Sequence, residues 1–155
     1  MVERERKYLV PHPPDDLDRY PCDSIRQGYL AIESQGEFRE VRLRRIGKRY
    51  VLTVKAGRGA SRLEHEVELS PRLGRELWPL TRGRRIRKRR YKIPHHALTI
   101  ELDVYEGKAR GLCVAEVEFE SDRALQRFRA PPWFGEEVTG RRKYANSRIA
   151  QTGWK

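Results

Sequence analysis

The chain has 155 residues, 36% charged and 37% hydrophobic, and its 34 Lys and Arg against 22 Asp and Glu give a net charge of +12. The length suits one compact domain, residues 1–155 without a linker, and the positive excess points to a polyanion: nucleic acid, an acidic membrane surface or a phosphate-rich small ligand. Two cysteines without a C-x-x-C argue against a disulfide framework or zinc site and suit a reducing cytoplasm, while the charged opening MVERERKYLV, with no long apolar segment after it, argues against a signal peptide and a membrane partner.

Acidic and basic residues are interleaved along the whole chain. This argues against a basic arm that coats a phosphate backbone, and nucleic acid is not an expected partner. The first stretch, 2–10, reads as a strand whose period of two puts Glu3, Glu5 and Lys7 on one face. Paired carboxylates repel unless a cation joins them, and hard divalent cations prefer oxygen, so Glu3 and Glu5 form a candidate clamp with Lys7 beside it for an anion. The same alternation is also the ordinary signature of a solvated sheet face.

Pro11, Pro13 and Pro14 interrupt pairing, and 15–20 has room for one helical turn before a second strand at 24–33 that contains Gly28 and Tyr29. The third strand, 37–46, sets Arg42 and Arg44 against Val41 and Leu43. Gly47 and Lys48 link it tightly to 49–56, where Thr53 and Lys55 alternate with Leu52 and Val54. Gly57 and Gly59 punctuate the next turn. The strand 62–69 then opposes Arg62, Glu64, Glu66 and Glu68 to Leu63, His65, Val67 and Leu69, with His65 expected to be packed on the apolar side.

Ser70 as N-cap and Pro71 at the first position open a short amphipathic helix, with Leu73, Leu77, Trp78 and Leu80 near one face and Trp78 expected in the core, until Pro79 ends it. The strand 84–93 is basic on both faces. Leu98, Ile100, Leu102 and Val104 oppose Thr99, Glu101, Asp103 and Tyr105, and in 113–120 Ala115, Val117 and Phe119 oppose Glu116, Glu118 and Glu120. Ser121 caps a second short helix, Trp133 and Phe134 anchor a loop, 141–151 is a third helix, and Trp154 falls near a frayed end. His12, His95 and His96 lie beside prolines in loops, and both cysteines read as ordinary thiols.

Eight antiparallel strands with short turns suggest a meander, and eight is a number at which a sheet closes into a barrel. The ordinary solution puts the apolar face inside. Segregation by sign favours the inverse: Arg42, Arg44 and Lys55 fall on consecutive strands and the carboxylate pairs on later ones, as a metal-bound polyphosphate would require. A charged bore is destabilised by its own repulsion unless ligand or metal occupies it, and the outward apolar stripes need the short helices, or a second copy in a homodimer, to cover them.

Taken together, these residues resemble the CYTH, or triphosphate tunnel metalloenzyme, superfamily. E-x-E-x-K is met by Glu3, Glu5 and Lys7, IRQGYL resembles the family's second strand, VRLR supplies Arg42 and Arg44, LTVK supplies Lys55, and RLEHEVEL carries Arg62, Glu64 and Glu66. The stretch RGRRIRKRRYKI places the family's paired basic positions on Lys88 and Arg90, ELDVYEG supplies Glu101 and Asp103, VAEVEFE supplies Glu116 and Glu118, and RRKYANSRIA resembles the closing segment with Lys143, Tyr144 and Asn146.

The resemblance implies a mainly β fold: a closed eight-stranded antiparallel barrel with a charged interior and a few short flanking helices. It also implies a triphosphate bound with Mg2+ or Mn2+. Lys7, Arg42, Arg44, Lys55, Lys88 and Arg90 would hold phosphate, Glu3, Glu5, Glu116 and Glu118 the metal, and Glu3, Glu5 and Lys7 would be catalytic. Glu64, Glu66, Glu101 and Asp103 would be further tunnel acids, with Tyr29 and Lys143 closing the mouths. The short chain favours inorganic tripolyphosphate over thiamine triphosphate, RNA 5′-triphosphate or the ATP of a class IV adenylate cyclase, and a non-catalytic polyphosphate- or RNA-binding barrel is the alternative from another class.

Overall fold

The computed structural model describes residues 2–57 and 60–154, so Gly59, read above as part of a turn, lies outside the described residues. Eight strands form, β1 (Val2–Leu9), β2 (Cys22–Glu33), β3 (Arg39–Ile46), β4 (Arg49–Ala56), β5 (Ser61–Leu69), β6 (Arg85–His95), β7 (Leu98–Glu106) and β8 (Cys113–Glu118). They close into a barrel in the order β1-β5-β4-β3-β2-β6-β7-β8, every pairing antiparallel. The meander expected from the short turns holds only within β2–β5 and within β6–β8. The proline-rich excursion after β1 carries the chain away before β2 begins, and α1 (Pro71–Leu77) with the turn after it carries the chain from β5 to the free edge of β2, where β6 pairs.

β1 is the closing plank, and it is shared. Only Val2–Arg4 pairs with β5, whereas Glu5–Leu9 pairs with β8. Beyond Arg4 the other edge of β1 is taken by the late segment 135–139: Gly135 and Val138 donate backbone N–H groups to the carbonyls of Leu9 (2.7 Å) and Lys7 (2.8 Å), and Leu9 donates to Glu136 (2.9 Å). A peptide edge inside a barrel wall must be satisfied, so this segment is held where β5 diverges.

The helices cover the outside unevenly. α1 is capped as expected, with Ser70 Oγ accepting the Leu73 N–H at 3.2 Å. Its contact with the barrel, however, is made by Gly74 against the ring of Tyr50, leaving Leu73 42% and Leu80 62% exposed. Trp78 is accordingly half-buried beneath Arg85 rather than in the core. α2 (Asp122–Arg127), with Phe128, Trp133 and Phe134, covers an outward apolar stripe of β1, β7 and β8 that includes Tyr8, Ile100, Leu102, Ala115 and Val117. The stripe on β4 and β5 is left bare: Val54, Leu63 and Val67 are exposed, and so is His65, which was expected to be packed.

α3 (Asn146–Thr152) stops one end of the bore, where Ile149 and Ala150 join the inward-facing Tyr29, Ile86, Tyr105 and Val114 in an apolar plug. Trp154 packs on the same cluster, and its indole N–H donates to the Arg110 carbonyl at 3.4 Å, so the end of the chain is tied down rather than frayed. No helix among the described residues is long and apolar enough to cross a membrane.

A Cβ at Gly74 would stand 2.1 Å from Tyr50 Cγ, the root of a ring that cannot swing aside. Gly74→Ala is therefore expected to destabilise by about 1–3 kcal/mol despite the better helix propensity of alanine. A thermal melt would show this as a fall in Tm of roughly 2–12 °C.

Candidate active site

The charged faces point inward. A cavity of about 440 Å³ occupies the bore, lined along the strands by Lys7, Arg42, Arg44, Lys55, Arg62 and Arg90 and by Glu3, Glu5, Glu40, Glu64, Glu66, Glu101, Glu116 and Glu118. On β6, where parity gives no choice, Lys88 and Arg90 face inward and Arg87 and Arg89 are exposed.

Each sign is held by the other. Lys55 Nζ donates to both oxygens of Glu3 at 3.0 Å, and Arg62 reaches Glu3 at 3.2 Å and Glu5 more closely still. Burial alone would raise the Glu3 carboxyl, but Lys55 and Arg62 outweigh it and hold the group below its ordinary range. Glu5 goes the other way: burial, reinforced by Glu116, pushes it up. Burial likewise opposes ionisation of Glu116, yet Lys7, Arg90 and Lys88 together hold it well below the usual carboxylate range. Lys7 Nζ lies 3.4 Å from Glu116 Oε1, an oxygen that accepts no hydrogen bond although it is buried. Nearer β5, burial only partly offset by Lys55 pushes Glu64 up to about 7.

The cations of β3 are less fully matched. Arg44 donates Nε to Gln27 at 3.1 Å and has no carboxylate at ion-pair distance among the described residues; burial and the flanking Arg42 and Arg90 press its pKa down. Arg42 Nη2 stands 3.8 Å from both Glu64 and Glu66, and its buried Nε has no acceptor; Arg62 Nε is unmatched as well. Unsatisfied buried donors are costly, so guanidinium groups left with spare N–H groups beside a cavity suit a phosphate ligand.

Two predicted contacts move. Lys88 was expected on phosphate and Asp103 among the lumen acids, but both are fully buried behind the cavity wall, joined at 2.7 Å. Asp103 also takes a bidentate pair of bonds from Arg90, Nε at 2.7 Å and Nη2 at 2.8 Å, while Arg90 Nη1 reaches Glu101 at 3.1 Å. The pair thus fixes Arg90, and Arg90 is the β6 cation that lines the cavity. Lys143, expected at a mouth, is exposed outside the main cavity, its ammonium 5.6 Å from the centre of the Tyr144 ring. Tyr29 lies in the plug with its hydroxyl accepting from Gln27 at 2.8 Å.

Arg62 and Glu40 belong to the site, and sequence parity held the signal: each alternates with residues already placed inward, Arg62 with Glu64 and Glu40 with Arg42. The resemblance marks 141–150 only as a closing segment and names Lys143 in it; the wall contributed by 138–151 instead adds Arg141, Arg142 and Arg148 to the cavity and accepts from Lys7 Nζ on the Tyr144 carbonyl at 3.3 Å.

Among the described residues no three acidic, histidine or cysteine side chains converge into a ready-made metal cage. The donor chemistry nevertheless fits a hard cation that keeps several waters and takes one or two carboxylates together with substrate phosphates: Glu5 and Glu116 repel each other in a buried setting, and Glu116 Oε1 has no hydrogen-bond donor.

A family model, the CYTH domain, matches residues 1–150. The inorganic triphosphatase of Nitrosomonas europaea is 44% identical over 153 residues, covering 97% of this chain and 97% of that protein, and the inorganic triphosphatase of Acetivibrio thermocellus is 36% identical over 132 residues, covering 84% and 81%. The crystal structure of the inorganic triphosphatase NE1496 superposes with a TM-score of 0.69 at 39% identity, covering 97% of this chain and 95% of that one.

Removing Asp103 tests the buried pair. Burial would raise its carboxyl, but Arg90 and Lys88 overcome this and hold it below its ordinary value. A depressed carboxyl contributes stability that is present above its unfolded pKa and lost as the pH falls through the folded one. Asp103→Asn is therefore expected to cost about 3–5 kcal/mol at neutral pH. In melts along a pH series, its deficit against wild type should narrow below about pH 4.

Proposed function

The chain belongs to the CYTH domain family, and on that premise we propose that it is a divalent-metal-dependent inorganic triphosphatase that cleaves tripolyphosphate to pyrophosphate and phosphate inside the barrel. The observation that carries this reading is the division of the lumen: under-matched arginines, Arg42 and Arg44, on β3, and a repelling carboxylate pair, Glu5 and Glu116, on β1 and β8. A phosphate chain held by a cation needs both at once. A molecule that only bound phosphate would need carboxylates as partners for its cations, but not two carboxylates set against each other.

Phosphoryl transfer asks for positioning and charge neutralisation more than for covalent help. Arg42, Arg44 and Arg90 hold the non-bridging oxygens, with Arg90 kept in place by Asp103. Glu5, Glu116 and Glu118 are the carboxylates that would hold Mg2+ or Mn2+. Glu3 has both oxygens on Lys55, so it joins that set only as phosphate draws Lys55 away. The bound cation would supply charge neutralisation and Lewis acidity toward water. Lys7, fixed between Glu116 and the Tyr144 carbonyl, neutralises charge that develops on the phosphoryl group as the water oxygen bonds to the terminal phosphorus and the bridging P–O bond breaks. Pyrophosphate leaves with the electron pair of that bond, and the proton that the attacking water loses passes to a phosphate oxygen.

The whole chain acts as one domain, and two free thiols, Cys22 exposed and Cys113 buried, suit the cytoplasm as its place of work. The experiment is phosphate release from tripolyphosphate, ATP and thiamine triphosphate with Mg2+, Mn2+ or EDTA, for wild type, Glu5→Gln and Arg44→Gln. Release should require the divalent ion, prefer tripolyphosphate, and fall roughly 100-fold or more in each variant. Release that persists in EDTA, or an Arg44→Gln enzyme of wild-type rate, would contradict the reading.

A further inference from the structure

The net charge of +12 points to a polyanion, and the tunnel is the first place to look for the surplus. It is not stored there. Along the strands the lining carboxylates outnumber the lining cations, the arginines of the C-terminal wall bring the cavity only near balance, and Lys88 cancels Asp103. Nearly all of the surplus therefore lies on the outside of the barrel.

One part of that exterior is ordered by the sheet itself. Arg26 on β2 stands directly opposite Arg45 on β3 and directly opposite Arg87 on β6, so the three form a single row across neighbouring strands. All three are exposed, and Arg89 lies two residues along the same face of β6. Arg45 donates to the Gly47 carbonyl, and among the described residues no ion pair joins Arg26, Arg45 or Arg87 to a carboxylate. Glu106, opposite Arg87 on β7, ends the row. Like charges directly opposed on a ladder destabilise it, and neighbouring strands are only about 4.8 Å apart, so the row carries a repulsion that a run of closely spaced anions would remove.

We propose that this row is a docking surface for long-chain inorganic polyphosphate on the outer wall of the barrel, separate from the cavity. The choice of partner follows from what surrounds the arginines. Single-stranded nucleic acid is held by aromatic rings that stack on bases, but Tyr50 beneath Arg45 is 4% exposed and Trp78 lies under Arg85. Duplex readers insert a helix or ribbon into a groove, and a convex barrel wall offers neither. What the row does offer is charge density along a line. A flexible chain of phosphates asks for nothing else. The surface stands outside the lumen and does not depend on the hydrolase reading.

The test is titration of the full chain with long-chain polyphosphate in EDTA across a range of salt, so that binding is read without metal-dependent cleavage. The variants are Arg26→Gln/Arg45→Gln/Arg87→Gln and a charge-matched control, Arg123→Gln/Arg127→Gln/Arg129→Gln, whose sites are exposed on α2 and just after it. The row variant is expected to lose about tenfold or more in affinity and to lower the salt slope by about two to three, with the control close to wild type. Tripolyphosphate hydrolysis should be unchanged in both. The Tm of the unliganded row variant should equal or exceed that of wild type, because repulsion has been removed. Equal losses in the two variants would overturn the proposal in favour of net charge alone. Single-stranded DNA of matched charge binding as tightly, and losing as much in the row variant, would overturn the choice of polyphosphate.

Discussion

Charges of both signs inside a closed barrel can persist only if they neutralise one another, and the architecture follows from that constraint. An isolated ion moved into such an interior costs several kcal/mol, and pairing offsets this only where geometry is good. Asp103 meets the condition fully, with Lys88 and a bidentate Arg90 on its two oxygens. Glu3 meets it through Lys55 and Arg62. Where the condition is met only in part, at Arg44, at Arg42 Nε and at Glu116 Oε1, the protein keeps atoms that a metal-bound phosphate chain would complete. Degree of neutralisation thus separates two sets: Lys88 and Asp103, fully paired, brace the wall, while the under-paired Arg42, Arg44 and Glu116 face the cavity beside the paired Glu3 and Arg90.

The same constraint separates what the sequence could show from what it could not. Strict alternation on β1, β3, β4, β5 and β8 fixes which residues share a face, and segregation by sign argues that the charged face is inside. Parity fails on β6, where both faces are basic, and only the fold shows that Arg87 and Arg89 are exposed. Nor can parity see depth: Lys88 and Arg90 share a face, yet one is sealed behind the wall and the other reaches the cavity. The ring order depends on where the connections deliver each strand. The short turns of β2–β5 are readable as hairpins, but the insertion of β1 between β5 and β8 is not. The plank at 135–139 is likewise hidden, because it satisfies an edge left open by other strands and has no periodicity of its own.

Hydrophobic pattern was misleading where a small residue makes the contact. The periodic leucines of α1 and the turn after it suggest a buried face, but the helix approaches the barrel through Gly74, so Leu73 and Leu80 stay exposed. Total charge is silent about place in a parallel way. It points to a polyanion without saying where one would sit: the bore is close to balanced and the surplus is spread over the outer wall, part of it in register across β3, β2 and β6.

Lumen charges serve as each other's partners until a metal-bound triphosphate replaces them. The most direct measurement is the Tm of wild type with Mg2+ alone, with imidotriphosphate alone in EDTA, and with both, the imido bridges preventing turnover. Small changes are expected from either component alone, and a rise of about 5–10 °C from the pair at saturating concentration. A shift from imidotriphosphate in EDTA as large as that from the pair would contradict it, because the carboxylates would then have no part in holding the ligand.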